Sequence, residues 1–400
     1  MLRSYLDLPR RVHLLCFGQF VQRSGAFIGP FLALDLATRR GLGEAFATLT
    51  LAVFGAGALI GSLIGGHLAD RFGRRPILLI APFGASVLCL ALLAAESHGA
   101  ILAAVFAFAL ITHLYPPASQ AMLADLTPEE QRPRAYALMY MAWNLGFAFG
   151  AGVGGQIAGR SFFWLFAGEA IATAVFGCFV FAFIPESRPE REPRAPAKEQ
   201  FSLAFVADRA FVVMLFANFL IGLLFNQPFS TLPLEIVGAG FTPDVYGNVM
   251  ALNGVMIALL QLPVTALLSG RPASPSLTIA ALLLGAGFGI NGIAGTAIGY
   301  VTSVVVWTMG EIILAAIAQA AVARMAPLAL RASYFGAFNA SFGLAMIFGP
   351  LAGGFIFHNA GGPTLWAICV PVGMAAAIIF WSLGARLDGT QLLPEGEVTG

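Results

Sequence analysis

Charge is what this sequence lacks. Of its 400 residues only 10% are Asp, Glu, Lys or Arg, against roughly 25% in a soluble domain. A chain so short of charge cannot clothe a water-facing surface of its size, which excludes an ordinary soluble enzyme or binding domain. The net charge is +1, so nothing draws the chain to nucleic acid. Cysteine is scarce too. Cys16, Cys89, Cys178 and Cys369 sit in separate apolar stretches with no C-x-x-C pair, which argues against a disulfide framework and against a zinc site. No glycine-rich phosphate loop is present, so nucleotide-driven work is disfavoured. The acids and His113 are scattered over different blocks with no nucleophile motif beside them. No catalytic role, cofactor or metal is expected.

What is abundant is apolar side chain, 58% of the chain. A membrane-crossing helix needs about 20 mostly apolar residues. Twelve blocks qualify, at roughly 12–36, 45–69, 76–95, 100–124, 135–158, 162–184, 210–236, 245–269, 276–296, 300–323, 333–357 and 364–385. The first is too long for a cleaved signal peptide and carries Arg23, so it reads as a spanning helix. The expected fold class is an all-α membrane protein of twelve transmembrane helices. The longest polar run, PESRPEREPRAPAKEQ at 185–200, divides six helices from six. It sets an N-terminal six-helix bundle over 1–184, a linker over 185–207 and a C-terminal six-helix bundle over 208–400. Most of the 21 basic residues fall on one side of this arrangement, with Arg39, Arg40 and Arg160 on the other and Arg23 within the membrane. The bias places both termini in the cytoplasm of a multi-pass protein of the cell (inner) membrane.

The two halves echo each other. ADLTPEEQRPRAYALMYMAWNLGFAFGAGVGG at 124–155 aligns with ARMAPLALRASYFGAFNASFGLAMIFGPLAGG at 323–354. Pro128 meets Pro327, Arg132 meets Arg331, and Gly150, Gly154 and Gly155 meet Gly349, Gly353 and Gly354. Parallel repeats of this kind, with a substrate site near the midplane between them, are the organisation of one large transporter class.

Between the second and third blocks stands GGHLADRFGRRP, 65–76. Gly66, Asp70, Arg71, Gly73, Arg74 and Arg75 fill every fixed position of G-x-x-x-D-R-x-G-R-R. This resembles the signature loop of the major facilitator superfamily, and the resemblance covers essentially the whole chain. It implies the major facilitator fold, two six-helix pseudo-repeat halves working by alternating access. The proton gradient would be the energy source, and the partners would be the lipid bilayer, protons and a small-molecule substrate, with the protein a monomer. In that family the loop acts as a conformational latch. The acid matching Asp70 faces the start of the eleventh helix, here near Ser333, and the arginine matching Arg74 reaches an acid at the end of the fourth, here Asp125. On the residues alone, Gly73 permits a tight turn, the arginines hold the loop at the surface, and Asp70 is badly placed at a helix C-terminus. A plain topogenic anchor is the alternative.

Within the superfamily the chain most resembles bacterial drug:proton antiporters. Gly146, Gly150, Gly154 and Gly155 follow their fifth-helix G-P-x-x-G-G element, with Ala151 in place of the proline; the full form, Gly349-Pro350-x-x-Gly353-Gly354, lies in the eleventh helix. Close helix packing explains such glycines equally well. The fourth-helix arginine of that group is missing, and His113 stands in the stretch instead. Proton-coupled peptide transporters carry E-x-x-E-R in the first helix, where this chain has Gln19-x-x-Gln22-Arg23. Amides at those positions can hydrogen-bond a substrate but cannot take a proton.

Intramembrane ionisable residues are functional candidates by default. At about 1.5 Å of rise per residue, Arg23, Glu169 and Glu311 all fall near one level. Glu169 on the sixth helix, Glu311 on the tenth, and water or substrate are open to Arg23 as partners, with Glu169 placed first because it belongs to the same half. Glu311 lies in an apolar helix with no basic neighbour. It is the leading candidate for proton coupling, ahead of Asp125 and Glu169; a carboxyl held by a helix–helix hydrogen bond is the bland alternative. His113 reads as a packed residue more readily than as a relay. The expected substrate cavity collects Gln19, Gln22, Arg23, His113, Tyr140, Asn144, Asn226, Trp307 and Asn339. Its aromatic and amide character suits amphipathic or cationic compounds. Pro116-Pro117 and Pro228 are expected to bend cavity helices. The function expected is secondary active transport, as proton-coupled export of lipophilic or amphipathic molecules. A specific metabolite, peptide or lipid is the alternative cargo, and a non-transporting sensor or assembly protein the alternative class.

Overall fold

The structure, a computed structural model, describes residues 7–187, 203–327 and 330–388. Most of the linker expected over 185–207 therefore lies outside the described residues. Among the described residues no strand occurs, and helices suit a lipid environment because a helix satisfies its backbone donors and acceptors internally. Ten helices among the described residues are long and apolar enough to cross a membrane. Two further segments complete the twelve spans. One is the first, which is broken. The other is Arg132–Ala158, 27 residues long, whose arginines and many glycines lower its hydropathy.

The first span is α1 (Arg10–Ser24) followed by α2 (Ile28–Leu34), which runs on into one π-helical turn, Asp35–Arg39. Then come α3 (Glu44–Phe72), α4 (Arg74–Ala94), α5 (His98–Thr112), α6 (Tyr115–Asp125), α7 (Arg132–Ala158) and α8 (Phe162–Phe183). The seventh span is α9 (Arg209–Phe225) with the short α10 (Gln227–Ser230) and α11 (Leu232–Gly238). The rest are α12 (Pro243–Leu268), α13 (Ala273–Ile290), α14 (Ala297–Met325), α15 (Arg331–Ala360), α16 (Gly362–Ser382) and the short α17 (Gly384–Asp388). The sequence echo is visible here: α7 begins at Arg132 and α15 at Arg331, the two aligned arginines. Side-chain oxygens of Ser97 and Thr296 accept from the Ala100 and Gly299 amides, capping α5 and α14 as these residue types do at helix starts.

Two compact units emerge. One is drawn from Met1–Ala195, Asn226–Ala258 and Met346–Gly362, the other from Pro196–Phe225, Leu259–Ala345 and Pro363–Gly400. In the first, α1 lies along α7, α3 along α5 and α4 along α8. In lipid an apolar side chain gains little by turning inward, so close approach of backbones at small residues does the packing. A Cβ on Gly146 would come 2.6 Å from the Phe20 carbonyl and 2.7 Å from the Arg23 Cβ. Gly247 of α12 and Gly155 of α7 meet in the same way. One apolar cluster of this unit holds Leu15, Ile77, Leu78, Met122 and Phe176. In the second unit Arg386 pairs with Asp208 at 2.8 Å, the Tyr334 hydroxyl donates to the same carboxylate at 3.2 Å, and Arg324 Nε donates to the Leu387 carbonyl at 3.0 Å.

Candidate functional site

The first unit encloses a cavity of about 250 Å³. It lies where three helical ladders are interrupted, at Gly25–Phe27, at His113–Leu114 and at Asn226, and Ala26, His113 and Asn226 all line it. Each interruption has a proline just beyond it. Pro30 has no N–H for the Ala26 carbonyl and its ring crowds that carbonyl, which favours a kink or a break there. Pro116 and Pro117 do the same to Thr112 and His113, and Pro228 to Leu224. Pro82, Pro263, Pro350 and Pro371 are nevertheless carried inside continuous helices. The first span was expected to be one continuous helix over 12–36; the structure corrects this to two pieces, broken where Pro30 favours it.

Around the breaks the polar groups find local partners. Glu169, 6% exposed, accepts the Ile28 N–H at 2.5 Å. That amide is one of the donors released at the start of α2. The expected Arg23–Glu169 ion pair is absent among the described residues. The Arg23 guanidinium lies instead over the indole of Trp143, 4.4 Å from the ring centroid, and its Nε has no hydrogen-bond partner. Such a contact is worth about 0.5–1 kcal/mol when exposed and about 2 or more when desolvated. His113 Nδ1 lies 2.9 Å from the Ala109 carbonyl. A carbonyl only accepts, so Nδ1 carries the proton. The ring meets Phe54 edge-on at 5.6 Å. Gln22 Oε1 and Thr112 Oγ1 are buried without partners.

A second polar cluster sits at the turn between α3 and α4. Gly73 has φ +106°, a left-handed conformation that costs a side chain little only when there is none. Arg74 bridges Asp70 at 3.0 Å and Asp125 at 3.1 Å. Glu186 accepts the backbone N–H groups of Arg74 and Arg75 at 3.0 and 3.1 Å, so a carboxylate sits at the positive end of α4. Arg75 reaches the Phe181 carbonyl at 2.7 Å, and Arg71 lies over the Phe72 ring. Gly66 faces Pro117.

A helical membrane protein with this loop, these breaks and this cavity has relatives. A family model described as Major Facilitator Superfamily matches residues 15–327 and 214–397. The chain belongs to the major facilitator superfamily. It is 28% identical to an uncharacterized MFS-type transporter of Bacillus subtilis, YqjV, over 81% of this chain and 80% of that one. It is 24% identical to a Na(+), Li(+), K(+)/H(+) antiporter of Planococcus maritimus, over 86% and 89% of the two chains. A crystal structure of a peptide transporter, POT, superposes with TM-score 0.79 at 17% identity, covering 95% of each chain.

In this superfamily member the residues named from sequence divide by position. Gln22, Arg23, His113, Glu169 and Asn226 line the one cavity, together with Trp143, Tyr115 and four phenylalanines. Gln19 shares the α1 face with Gln22 and Arg23 but lies one turn outside the cavity wall, buried at 4% exposure. Tyr140 is largely exposed, and its carbonyl accepts from the buried Asn144 at 2.9 Å; neither lines the cavity. Trp307, Asn339 and Glu311 belong to the second unit. There Trp307 is buried and stacked on Phe288, Asn339 is exposed, and Glu311 is half-buried. The sequence reading passed over Glu186, Asp35 and Tyr115. Asp35 is 1% exposed and pairs with Arg39 and Arg40. Arg40 in turn donates to the carbonyls of Ala95 and Leu92 at 2.6 and 3.0 Å. A lone acid inside an apolar block beside two arginines was the available signal.

Proposed function

We propose that this transporter couples proton movement to the passage of a lipophilic or amphipathic small molecule, through the cavity around Arg23 and Glu169. The observation that carries the reading is the position of Glu169, the one carboxylate among the cavity's lining residues. A carboxylate accepts the Ile28 N–H more strongly than a neutral acid does. Protonation therefore loosens the start of α2, and the proton is linked to the geometry of the first break. Glu169 takes the coupling role in preference to Asp125, which is engaged by Arg74, and to Glu311.

A cargo whose seating favours the proton at Glu169 travels with it, whereas one that competes with the proton there exchanges against it. The second is the antiport sense, supported by the name of the Planococcus relative. The apolar wall of Phe54, Phe108, Phe147 and Phe229 supports an amphipathic body. The arginines at the α3–α4 turn and at the start of α7 support cytoplasmic termini in a bacterial inner membrane. The loop cluster of Gly66, Asp70, Arg71, Gly73, Arg74 and Arg75 is assigned the latch, with Glu186 added to it. One chain suffices for all of this, with a proton gradient and no bound cofactor.

The test is transport in proteoliposomes with and without an imposed pH gradient, for the parent and Glu169→Gln. The parent should accumulate cargo only with the gradient. The variant should equilibrate cargo down its own gradient and ignore the pH gradient. Gradient-driven accumulation by Glu169→Gln at the parental rate would remove Glu169 from the coupling role.

A further inference from the structure

We infer that the cavity takes a cargo with an anionic head, a carboxylate or an anion of like geometry, on an aromatic or aliphatic body, and that Arg23 receives the head. This rests on the proposed reading in one respect, that the cavity is the cargo's path. Arg23 makes no hydrogen bond or ion pair through its side chain among the described residues, although a carboxylate lines the same cavity. That carboxylate, on Glu169, is committed to the Ile28 amide. The other titratable groups on the wall are His113, whose Nδ1–H is bound to Ala109, and Tyr115, whose hydroxyl lies 3.3 Å from Ser119 Oγ. No second acid faces Arg23 from α5, α6, α7 or the Asn226 break.

The geometry around Arg23 is that of a held receptor. The Trp143 ring centroid lies 4.4 Å from the guanidinium carbon, and the guanidinium edge carries no hydrogen bond among the described residues. That edge presents parallel N–H groups matched to the two oxygens of a carboxylate, as a lysine would not. Thr112 Oγ1 and Gln22 Oε1, on two residues that line the same cavity, are also buried without hydrogen-bond partners. Both belong to a buried wall where polar atoms without partners are rare. The phenylalanines then cover the body. The aromatic and amide wall suits amphipathic or cationic compounds, but the Trp143 ring face is already taken by the Arg23 cation, which tilts the choice towards an anion.

A consequence follows for coupling. An anion seated on Arg23 disfavours a second negative charge on Glu169 across the same cavity. Anion and proton then favour each other's binding, by the reciprocity of linkage. For such a cargo the coupling sense is symport.

The experiment compares three probes of one shape, 4-phenylbutyrate, 4-phenylbutyramide and 4-phenylbutylamine, binding to the full-length protein in nanodiscs, read by quenching of tryptophan fluorescence. The carboxylate should bind at least tenfold more tightly than the amide and the amine. Arg23→Gln should remove that preference, and Arg23→Lys should keep part of it. Equal binding of the three, preference for the amine, or no binding of the carboxylate overturns the inference. The comparison of probes on the unaltered protein decides even if the variants fail to fold. Proteoliposome uptake separates the two readings. Carboxylate preference without any response to a pH gradient leaves the anion site standing and removes proton coupling, whereas gradient-driven movement of the amine alone does the reverse.

Discussion

Consider Glu169 replaced first by Gln and then by Ala, with fold stability as the readout. The Ile28 N–H donates to the Glu169 carboxylate at 2.5 Å, at a break that Pro30 favours. A hydrogen bond to a charged group contributes about 1.5–3 kcal/mol, and a neutral one about 0.5–1.5. Gln keeps an acceptor oxygen in place, so it should cost about 1 kcal/mol. Ala removes the acceptor and leaves a buried donor unpaired, a penalty of about 1–3 kcal/mol, and it also removes side-chain packing at a site 6% exposed. We expect Ala to fall about 3 kcal/mol below the parent, and so about 2 kcal/mol below Gln, roughly a thirtyfold difference in the unfolding equilibrium. Equilibrium unfolding in mixed micelles, followed by far-ultraviolet circular dichroism, measures the order. If Ala and Gln are equally stable, the carboxylate does not hold the break. If Gln matches the parent while Ala falls, Glu169 is already neutral at the pH of the measurement.

Two other perturbations test different contacts. Gly73→Ala places a methyl where φ is +106° and where its Cβ would lie 2.5 Å from Glu186 Oε2; the backbone alone should cost about 1–3 kcal/mol. Transport in proteoliposomes should slow while probe affinity at the cavity stays the same, and an equal loss of affinity would remove the latch assignment. Asp35→Ala strips the buried acid from Arg39 and Arg40, and breaking a buried pair typically costs about 3–5 kcal/mol. The double change Asp35→Ala with Arg40→Ala should be less damaging than the sum of the single ones, and strict additivity in unfolding measurements would show that the two do not act together.

Much of the fold could be read from the sequence because lipid simplifies the problem. Block length and the placement of arginine give the spans, and the echo between Arg132 and Arg331 marks matching helix starts. The link from Arg74 to Asp125 also follows from the loop motif. The partner of Arg23 could not be read in the same way. Counting charges directs attention to acids, whereas the Trp143 ring offers a quadrupole that no charge count contains. Glu169 was obscure for the converse reason. Its partner is a backbone amide, and a backbone amide becomes available only where a ladder is broken. Pro30, four residues beyond Ala26, was the legible sign of that break. Glu186 was concealed by its neighbours, since a Pro- and Arg-rich run reads as linker until its first acid is seen on the N-terminus of α4.

The three interruptions explain why the polar groups gather where they do. A continuous helix in lipid has no free backbone group to offer a side chain or a cargo. At Gly25–Phe27, His113–Leu114 and Asn226 the ladders open, and irregular backbone at that depth is tolerated where protein or a cavity covers it. The same prolines that open the ladders therefore create both the space and the demand for polar partners. Glu169 meets the demand at the first break, and at the second the His113 ring folds back onto the Ala109 carbonyl, which also accepts the His113 N–H. Arg23 sits two residues before the first break, where Gly146 and Gly150 of α7 bring the backbones together, and its side chain lies across Trp143. Its position is thus a product of helix packing as much as of charge. Gly146→Ala, whose Cβ would lie 2.7 Å from the Arg23 Cβ, should therefore weaken the carboxylate preference among the three probes with every charged residue retained; an unchanged preference in the tryptophan-quenching assay would show that this packing does not set the position of Arg23.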